Sequence, residues 1–279
     1  MQPIEFRHCI HADEEGTLCD ALASKTGLTK SRIKRAMICG AVWHQKPGGK
    51  MRRVRRATTP VRNGDNIAIF YDESILNLQP PAAECVRDNR RYSIWRKPAG
   101  LLTQGSHFGD HCALTRQVEQ HFKPPRPAFL VHRLDRETAG LVIIAHDRKA
   151  AALFTELFRN RKIEKRYQAV VKGKPATRNR EGFIDAPLDG RKAQTRYHLL
   201  HHDAINDQSQ LRVDILTGRH HQIRRHFELI GHPVVGDPRY GYGNKNCRGL
   251  QLVACGLKFV CPFGNGEMNI EFNPNLADP

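Results

Sequence analysis

A chain of 279 residues with 39% hydrophobic residues is long enough for one large domain and a smaller one. Because 45 Lys and Arg outnumber 28 Asp and Glu, the formal net charge is +17, which indicates a polyanionic partner, with nucleic acid first. No apolar run approaches the roughly 20 residues of a membrane span, and the N-terminus lacks a signal-peptide pattern, so we expect a soluble, cytoplasmic protein without a membrane partner.

The eight cysteines are scattered without a Cys-x-x-Cys pair, which favours reduced thiols over disulfides. Two groups of side chains match no familiar zinc spacing: Cys112 with His107 and His111, and Cys247 with Cys255 and Cys261. No glycine-rich loop has the spacing of a nucleotide-binding motif. We therefore expect neither a metal nor a cofactor.

The N-terminal part of the chain contains a basic run. Between Lys25 and Arg62 there are twelve basic residues and no acid, which is typical of a phosphate-binding surface. Helices are predicted over Thr17–Lys25 and Thr29–Cys39, the second capped by Thr29 or Ser31, and strands over Ala41–His44 and Asn66–Tyr71. The pattern predicts a compact basic unit of two helices and a small sheet at 13–71.

This unit resembles the small α/β RNA-binding module named after a bacterial small-subunit ribosomal protein. The matching features are a helix with Ser31, Arg32, Lys34 and Arg35, the Gly40-Ala41-Val42 entry into a strand, and Gly64-Asp65 before the last strand. The resemblance implies that Arg32, Lys34 and Arg35 contact RNA phosphates, and a solvated helix face is the alternative. We assign residues 1–71 to this module and 72–90 to a linker.

A second, larger domain is predicted from about Arg91. It opens with a strand at Tyr92–Trp95 and a basic turn that contains Lys97, and a helix is expected over Ala113–Phe122. The domain boundary is placed at this point because the Pro80-Pro81 pair and mixed polar residues precede it.

Two apolar runs, Phe129–Val131 and Leu141–Ala145, enclose a charged segment, with Thr138–Gly140 as the predicted turn. Two buried strands are therefore expected to hold five polar side chains at one exposed end: His132, Arg133, Asp135, Arg136 and Glu137. A carboxylate beside guanidinium groups on a rigid scaffold suits a reactive acid. A charged hairpin end, with Asp135 capping a turn, explains the same pattern.

The next segment is predicted to place an aromatic ring among basic residues. Asp147 should cap an amphipathic helix that packs against the sheet. A basic run from Arg159 to Arg180 follows, and it contains Tyr167 on a strand predicted over Lys165–Val171. This arrangement suits a stacked base, and an ordinary core tyrosine is the alternative.

A half-buried strand at Leu211–Ile215 leads into a helix that Gly231 ends. Arg219, Gln222 and Arg224 are expected near its positive N-terminal end, where an anion is stabilised. The histidines His220, His221 and His226 resemble metal ligands, but no carboxylate cluster with metal-ligand spacing accompanies them. Three more strands are predicted: Leu250–Ala254, Leu257–Val260 and Met268–Phe272.

Four stretches of the large domain together resemble the RluA-type pseudouridine synthases. They are Lys97-Pro98-Ala99-Gly100, His132-Arg133-Leu134-Asp135 with Thr138-Ala139-Gly140-Leu141, Lys165-Arg166-Tyr167, and Gly218-Arg219-His220-His221-Gln222-Ile223-Arg224. Their order and spacing match that family from about residue 85 onward. Two departures are visible, because Ala139 stands where serine is common and His220 where threonine is common.

The resemblance implies an α+β fold over 91–279, with a mixed, largely antiparallel central sheet and flanking helices. It implies that Asp135 is the catalytic carboxylate, that Tyr167 stacks on the target uracil and assists proton removal, and that Arg224 pairs with Asp135. Arg133 would occupy the space that the flipped base leaves. Further RNA contacts are expected from His132, Lys97, Arg219 and Gln222.

The chemistry of this reaction agrees with these residue types. Uridine becomes pseudouridine when the base is detached from the ribose, turned, and rejoined through carbon, which needs no redox change and no cofactor. An ionised carboxylate can attack either the ring or the ribose carbon, and a nearby cation such as Arg224 favours its charged form. Extruding the base costs a few kcal/mol, which stacking on Tyr167 partly offsets.

The expected partner is structured RNA, with ribosomal RNA ahead of transfer RNA, and a monomer is the simplest assembly. One rival is a non-catalytic RNA-binding or ribosome-assembly protein, which predicts loss of Asp135, Tyr167 or Arg224, and all three are present. A metal-dependent nuclease is a third interpretation, but the sequence has no carboxylate cluster with metal-ligand spacing.

Overall fold

The structure is a computed structural model that describes residues 2–264, 266–274 and 276. It divides into two compact units, one formed by residues up to Pro81 with Leu102–Arg126, the other by Ala82–Leu101 with residues from Pro127 onward. Among the described residues, no helix combines the length and the apolar composition that a membrane span requires.

The elements, in chain order, are β1 (Ile4–Cys9), β2 (Gly16–Thr17), α1 (Leu18–Thr26), α2 (Lys30–Ile38), β3 (Val42–Gln45), β4 (Arg52–Arg53), β5 (Pro60–Val61), β6 (Asn66–Tyr71), α3 (Glu73–Leu76), β7 (Glu84–Asp88), β8 (Tyr92–Lys97), α4 (Leu114–His121), β9 (Phe129–Leu130), β10 (Ala139–Ala145), α5 (Arg148–Arg159), β11 (Glu164–Lys172), β12 (Glu181–Asp185), β13 (Gln194–Asp203), β14 (Gln208–Ile215), α6 (Gln222–Leu229), β15 (Leu252–Val260) and β16 (Glu267–Glu271).

The first unit contains the predicted pair of helices and a small antiparallel sheet in the order β1-β6-β3-β4. The helices α1 and α2 bury Leu18, Leu22, Ile33 and Met37 in a common core. Thr29 is the cap of α2, because its hydroxyl accepts a hydrogen bond from the backbone N–H of Arg32.

Residues 102–126 belong to this first unit and carry an acid that the basic run itself lacks. The Asp110 carboxylate accepts two hydrogen bonds from Arg55, at 2.7 and 2.6 Å, and lies 3.6 Å from Arg53. Arg53 also stacks over Trp43. Two of the twelve basic residues are therefore paired with an acid within this unit.

The segment 72–90, expected as a linker, contains α3 and β7.

The second unit is built on a ten-stranded sheet within the described residues. Its main path is β12-β13-β14-β11-β15-β10-β8-β7, with β16 paired to β15 and β9 paired to β10. All pairs are antiparallel except β10 with β15, which is parallel. The predicted α+β fold with a mixed, largely antiparallel sheet is confirmed.

The helix α5 packs on this sheet as its apolar pattern predicts. Asp147 caps it by accepting a hydrogen bond from the Ala150 N–H at 2.8 Å. Its Phe154 is fully buried in a core that includes Tyr92 and Ile143 of the sheet. This packing fixes β10, the strand that follows the charged segment.

Two details of the predicted strands are wrong. The predicted turn at Thr138–Gly140 is mostly strand, since β10 already starts at Ala139, and the connection from β9 is the longer loop 131–138. The two strands predicted at Leu250–Ala254 and Leu257–Val260 are one strand, β15, with a bulge. Gly256 interrupts the apolar pattern there without ending the strand.

Candidate active site

The 131–138 loop carries Asp135 and is fastened to the backbone of residues 97–101. The Gly100 N–H donates to the Arg136 carbonyl at 2.8 Å, and the Arg136 Nε donates back to the Gly100 carbonyl at 3.2 Å. The Thr138 N–H donates to the Asp135 carbonyl at 3.2 Å. These bonds hold the Asp135 backbone in one place, so its half-buried carboxylate has a fixed position in the loop that leads into β10.

Lys97 lies beneath this loop and is fully buried. Its ammonium donates to three carbonyls, those of Pro98 at 3.0 Å, Leu101 at 2.8 Å and Arg136 at 3.2 Å. Burial lowers the pKa of Lys97 to about 8, and the negative charges of Glu137 and Asp135 oppose this shift. A direct contact between Lys97 and RNA was expected. The buried position of its ammonium instead suits a residue that supports the Asp135 loop.

Arg224 is the buried cation of the site, with 1% of its surface exposed. It comes from α6, where Ile223 and Phe227 beside it are also buried. Its Nη1 donates to Asp135 Oδ2 at 3.3 Å, whereas its Nε and Nη2 donate to the two oxygens of Asp237 at 2.6 and 2.8 Å. The paired contact with Asp237 fixes the plane of the guanidinium and directs Nη1 at Asp135.

Three other side chains surround the Arg224–Asp135 pair. A Glu137 oxygen lies 3.7 Å from Arg224 Nη1. His221 places its Nε2 3.6 Å from Asp135 Oδ2 and its Nδ1 3.1 Å from the Tyr240 hydroxyl. Burial lowers the pKa of His221, which favours a neutral imidazole, although the Asp135 charge acts in the opposite direction.

Tyr167 lies on β11 next to the bulge of β15. Arg166 pairs with Gly256 and Tyr167 with Ala254, so Cys255 is the extra residue opposite them. Bulges often redirect a side chain beside an active site. Only 8% of Tyr167 is exposed, and burial raises the pKa of its hydroxyl, with the Asp135 charge acting in the same direction. The phenol therefore keeps its proton at neutral pH.

The remaining predicted RNA contacts occupy different environments. Arg133 is exposed. The His132 Nε2 accepts a hydrogen bond from the Ile143 N–H at 2.9 Å, and burial lowers the pKa of His132 to about 3, so this ring is a neutral structural acceptor. Arg219 is half-buried, and its Nε donates to the Lys192 carbonyl at 3.0 Å.

Gln222 is buried, and its amide makes only internal hydrogen bonds. Its oxygen accepts from the Thr217 hydroxyl at 2.6 Å and from the Arg219 N–H at 3.0 Å. Its nitrogen donates to the Gln194 carbonyl at 2.9 Å and to the Thr195 hydroxyl at 3.0 Å. Gln222 therefore fixes the start of α6, which positions Arg224.

Sequence reasoning missed Asp237 and Tyr240, which lie in the loop between α6 and β15. A physical signal for Asp237 was present, because an arginine beside inward-facing apolar residues of a helix needs more than one carboxylate oxygen to satisfy its donors. The sequence did not show which acid would serve, because Asp237 follows Arg224 after the end of the helix.

The fold agrees with comparisons to known proteins. The family described as RNA pseudouridylate synthase matches residues 91–229. An uncharacterized RNA pseudouridine synthase of Chloroflexus aurantiacus is 32% identical, over 77% of this chain and 71% of that protein. The ribosomal large subunit pseudouridine synthase D of Zymomonas mobilis is 35% identical, over 67% of this chain and 68% of that protein.

A solved structure of the human protein titled RNA pseudouridylate synthase domain containing 1 has the same fold, with a TM-score of 0.59 and 21% identity. It is matched over 71% of this chain and 86% of that chain. The chain belongs to the RNA pseudouridine synthase family. It is an isomerase that acts on uridine in RNA.

We expect the substitution Asp237→Asn to lower the free energy of unfolding by about 3–5 kcal/mol, because it removes the buried carboxylate that pairs with two nitrogens of the buried Arg224. Urea unfolding followed by circular dichroism measures this change. Glu137→Gln is the matched control, since it removes another carboxylate near the same guanidinium but at a site with 38% of the side chain exposed, and it should cost less than about 1 kcal/mol. Equal losses in the two variants would contradict the structural role of Asp237.

Proposed function

We propose that Asp135 is the covalent nucleophile of the pseudouridine synthase reaction. Its Oδ2 accepts the hydrogen bond from Arg224, whereas no described residue donates a hydrogen bond to its Oδ1. The Oδ1 atom therefore keeps its lone pairs for attack. The hydrogen bond from Arg224 to Oδ2 orients the carboxylate for that attack.

Tyr167 is proposed to support the flipped uracil by stacking. A phenol with a raised pKa is a poor base at neutral pH, so the proton-removal role implied by the family resemblance is less favoured than the stacking role. Arg133 is exposed on the same loop as Asp135, which suits the proposed filling of the space left by the base.

The proposed substrate is structured ribosomal RNA, with transfer RNA as the alternative. This choice is supported by the name of the Zymomonas mobilis relative, which places the action of that protein on the large ribosomal subunit. A monomer is proposed as the working form. All eight cysteines are free thiols, which suits a reducing compartment such as the cytoplasm.

Residues 1–71 are proposed to form a second RNA-contacting module. Arg32, Lys34 and Arg35 lie on α2 with exposed or half-exposed side chains, and no described acid lies within ion-pair distance of them. Other cations of the same basic run are neutralised, as Lys30 is by Asp20 at 2.6 Å. The three α2 cations are therefore available for phosphates, together with other basic residues of the run that form no ion pair with a described acid: Lys46, Lys50, Arg52, Arg56 and Arg62.

Asp135→Asn should abolish pseudouridine formation while RNA binding is retained, because the amide has a similar shape but is not a nucleophile. Pseudouridine content after incubation with RNA and a filter-binding assay measure the two properties. Glu137→Gln serves as the control for removing one negative charge from the site. Full turnover by Asp135→Asn would exclude Asp135 as the nucleophile.

Tyr167→Phe should retain most of the rate constant for pseudouridine formation, since phenylalanine can stack. Tyr167→Leu should lower it by about 10- to 100-fold, because base stacking contributes about 1–3 kcal/mol. Single-turnover kinetics separates the two variants. A rate of Tyr167→Phe as low as that of Tyr167→Leu would show that the hydroxyl is needed.

The triple variant R32Q/K34Q/R35Q should weaken RNA binding and reduce the slope of log affinity against log salt by about 2, as loss of three contacts to single-stranded phosphates predicts. The control R148Q/K149Q/R159Q removes the same charge from exposed positions of α5. An unchanged slope in the first variant, or equal changes in both, would refute a specific role for α2.

A further inference from the structure

Folding places two histidines that directly precede α6 beside the Asp135 carboxylate, which comes from a distant part of the chain. One ligand atom from each of Asp135, His220 and His221 lies within 4.8 Å of the others, and the search of the described residues found this group alone. Within this group, His221 Nε2 lies 3.6 Å from Asp135 Oδ2. Two imidazoles and one carboxylate form a ligand set that suits Zn²⁺ and Co²⁺, with further positions left for water.

His221 is already oriented as a metal ligand. Its Nδ1 is engaged by the Tyr240 hydroxyl at 3.1 Å, so its Nε2 is left facing Asp135. The Tyr240 ring lies perpendicular to the imidazole, with centroids 5.6 Å apart. A hydrogen bond to the second ring nitrogen is how metal-binding histidines are usually held.

His220 supplies the third ligand from the exposed side of the site. Its ring stacks on His221 with centroids 3.8 Å apart, and its side chain is exposed. An exposed imidazole can change its rotamer at little cost, which closes the remaining distance to a shared ion. His220 therefore completes the set without movement of the buried residues.

The charge around Arg224 leaves Asp135 able to accept a second cation. Arg224 gives its Nε and Nη2 to Asp237 and shares its Nη1 between Asp135 and Glu137. Lys97 directs its ammonium at three carbonyls. The Asp135 carboxylate is thus only partly compensated, and its Oδ1 accepts no hydrogen bond from a described residue.

We propose that Asp135, His220 and His221 bind a divalent transition-metal ion, and that the bound ion inhibits the enzyme. Inhibition follows because the ion binds the carboxylate that must attack the substrate and blocks access of the uridine. The inhibition rests on the proposed role of Asp135, whereas the binding of the ion does not.

The binding is tested by titrating the full-length protein with Co²⁺ and recording its visible absorption, in which nitrogen and oxygen ligands are distinguished from thiolates. The wild type should bind one ion at a nitrogen and oxygen site. The variants His220→Thr and Asp135→Asn should each weaken this binding by about tenfold or more. His201→Thr is the matched control, because His201 is an exposed histidine of β13 outside the cluster, and its affinity should equal that of the wild type.

The inhibition is tested by adding Zn²⁺ to the pseudouridine assay, with each variant compared with its own rate without metal. Half-inhibition of His220→Thr should require about tenfold or more Zn²⁺ than that of the wild type or of His201→Thr. A chelator should restore activity. His220→Gln provides a second variant if His220→Thr unfolds, as judged by circular dichroism.

The possible failures are distinct. Absence of a nitrogen and oxygen Co²⁺ site in the wild type, or equal affinity in His220→Thr, would overturn the metal site and leave the proposed nucleophile untouched. Binding of Co²⁺ with no effect of Zn²⁺ on turnover would overturn the inhibition and count against Asp135 as the reacting group.

Discussion

The active site depends on one buried guanidinium whose donors are divided unequally between two carboxylates. Removing Arg224 from water is costly unless its donors are satisfied with good geometry. Asp237 meets that need by accepting two short hydrogen bonds, and it is itself held by the backbone N–H groups of Arg239 and Tyr240. Since Asp237 satisfies Nε and Nη2, the longer contact to Asp135 leaves the reactive carboxylate partly free.

The backbone around Asp135 is built to resist displacement. Lys97 and Gly100 hold the 131–138 loop by hydrogen bonds to the Arg136 carbonyl, and β10 then continues from this loop into the centre of the sheet. Gly140 has a φ of +126°, and a Cβ at this position would collide with the Ala254 carbonyl, so only glycine allows the parallel contact with β15. Ala254 is also the partner of Tyr167, so β15 aligns both β10, which follows the Asp135 loop, and β11, which carries Tyr167.

The geometry that supports the proposed attack by Asp135 also supports its proposed role as a metal ligand. A carboxylate with a free oxygen can attack a uridine, and beside an imidazole it can also bind a borderline divalent cation such as Zn²⁺. The sequence shows no carboxylate cluster with metal-ligand spacing beside His220 and His221, and that absence was a reason to discount them as metal ligands. The tertiary structure supplies the partner from the 131–138 loop.

Much of this protein was predictable because its signals are local. The amphipathic helix after Asp147 and the strand at Asn66–Tyr71 follow from periodicity and capping. The motif around Asp135 indicates the family, and the resemblance to that family implies the α+β class. The start of β10 at Ala139 and the continuity of β15 were missed, since pairing across the sheet determines where a strand begins and whether a bulge interrupts it.

The sequence by itself determined the reacting residue types, the family and the basic character of the RNA-binding surface, because motifs, composition and charge reside in the chain. Only the tertiary structure decided that Asp237 orients Arg224, that Lys97 is a buried support, and that Asp110 neutralises Arg53 and Arg55. These contacts join residues far apart in sequence, and the partner of a buried charge is chosen by three-dimensional proximity and desolvation, neither of which a local pattern records.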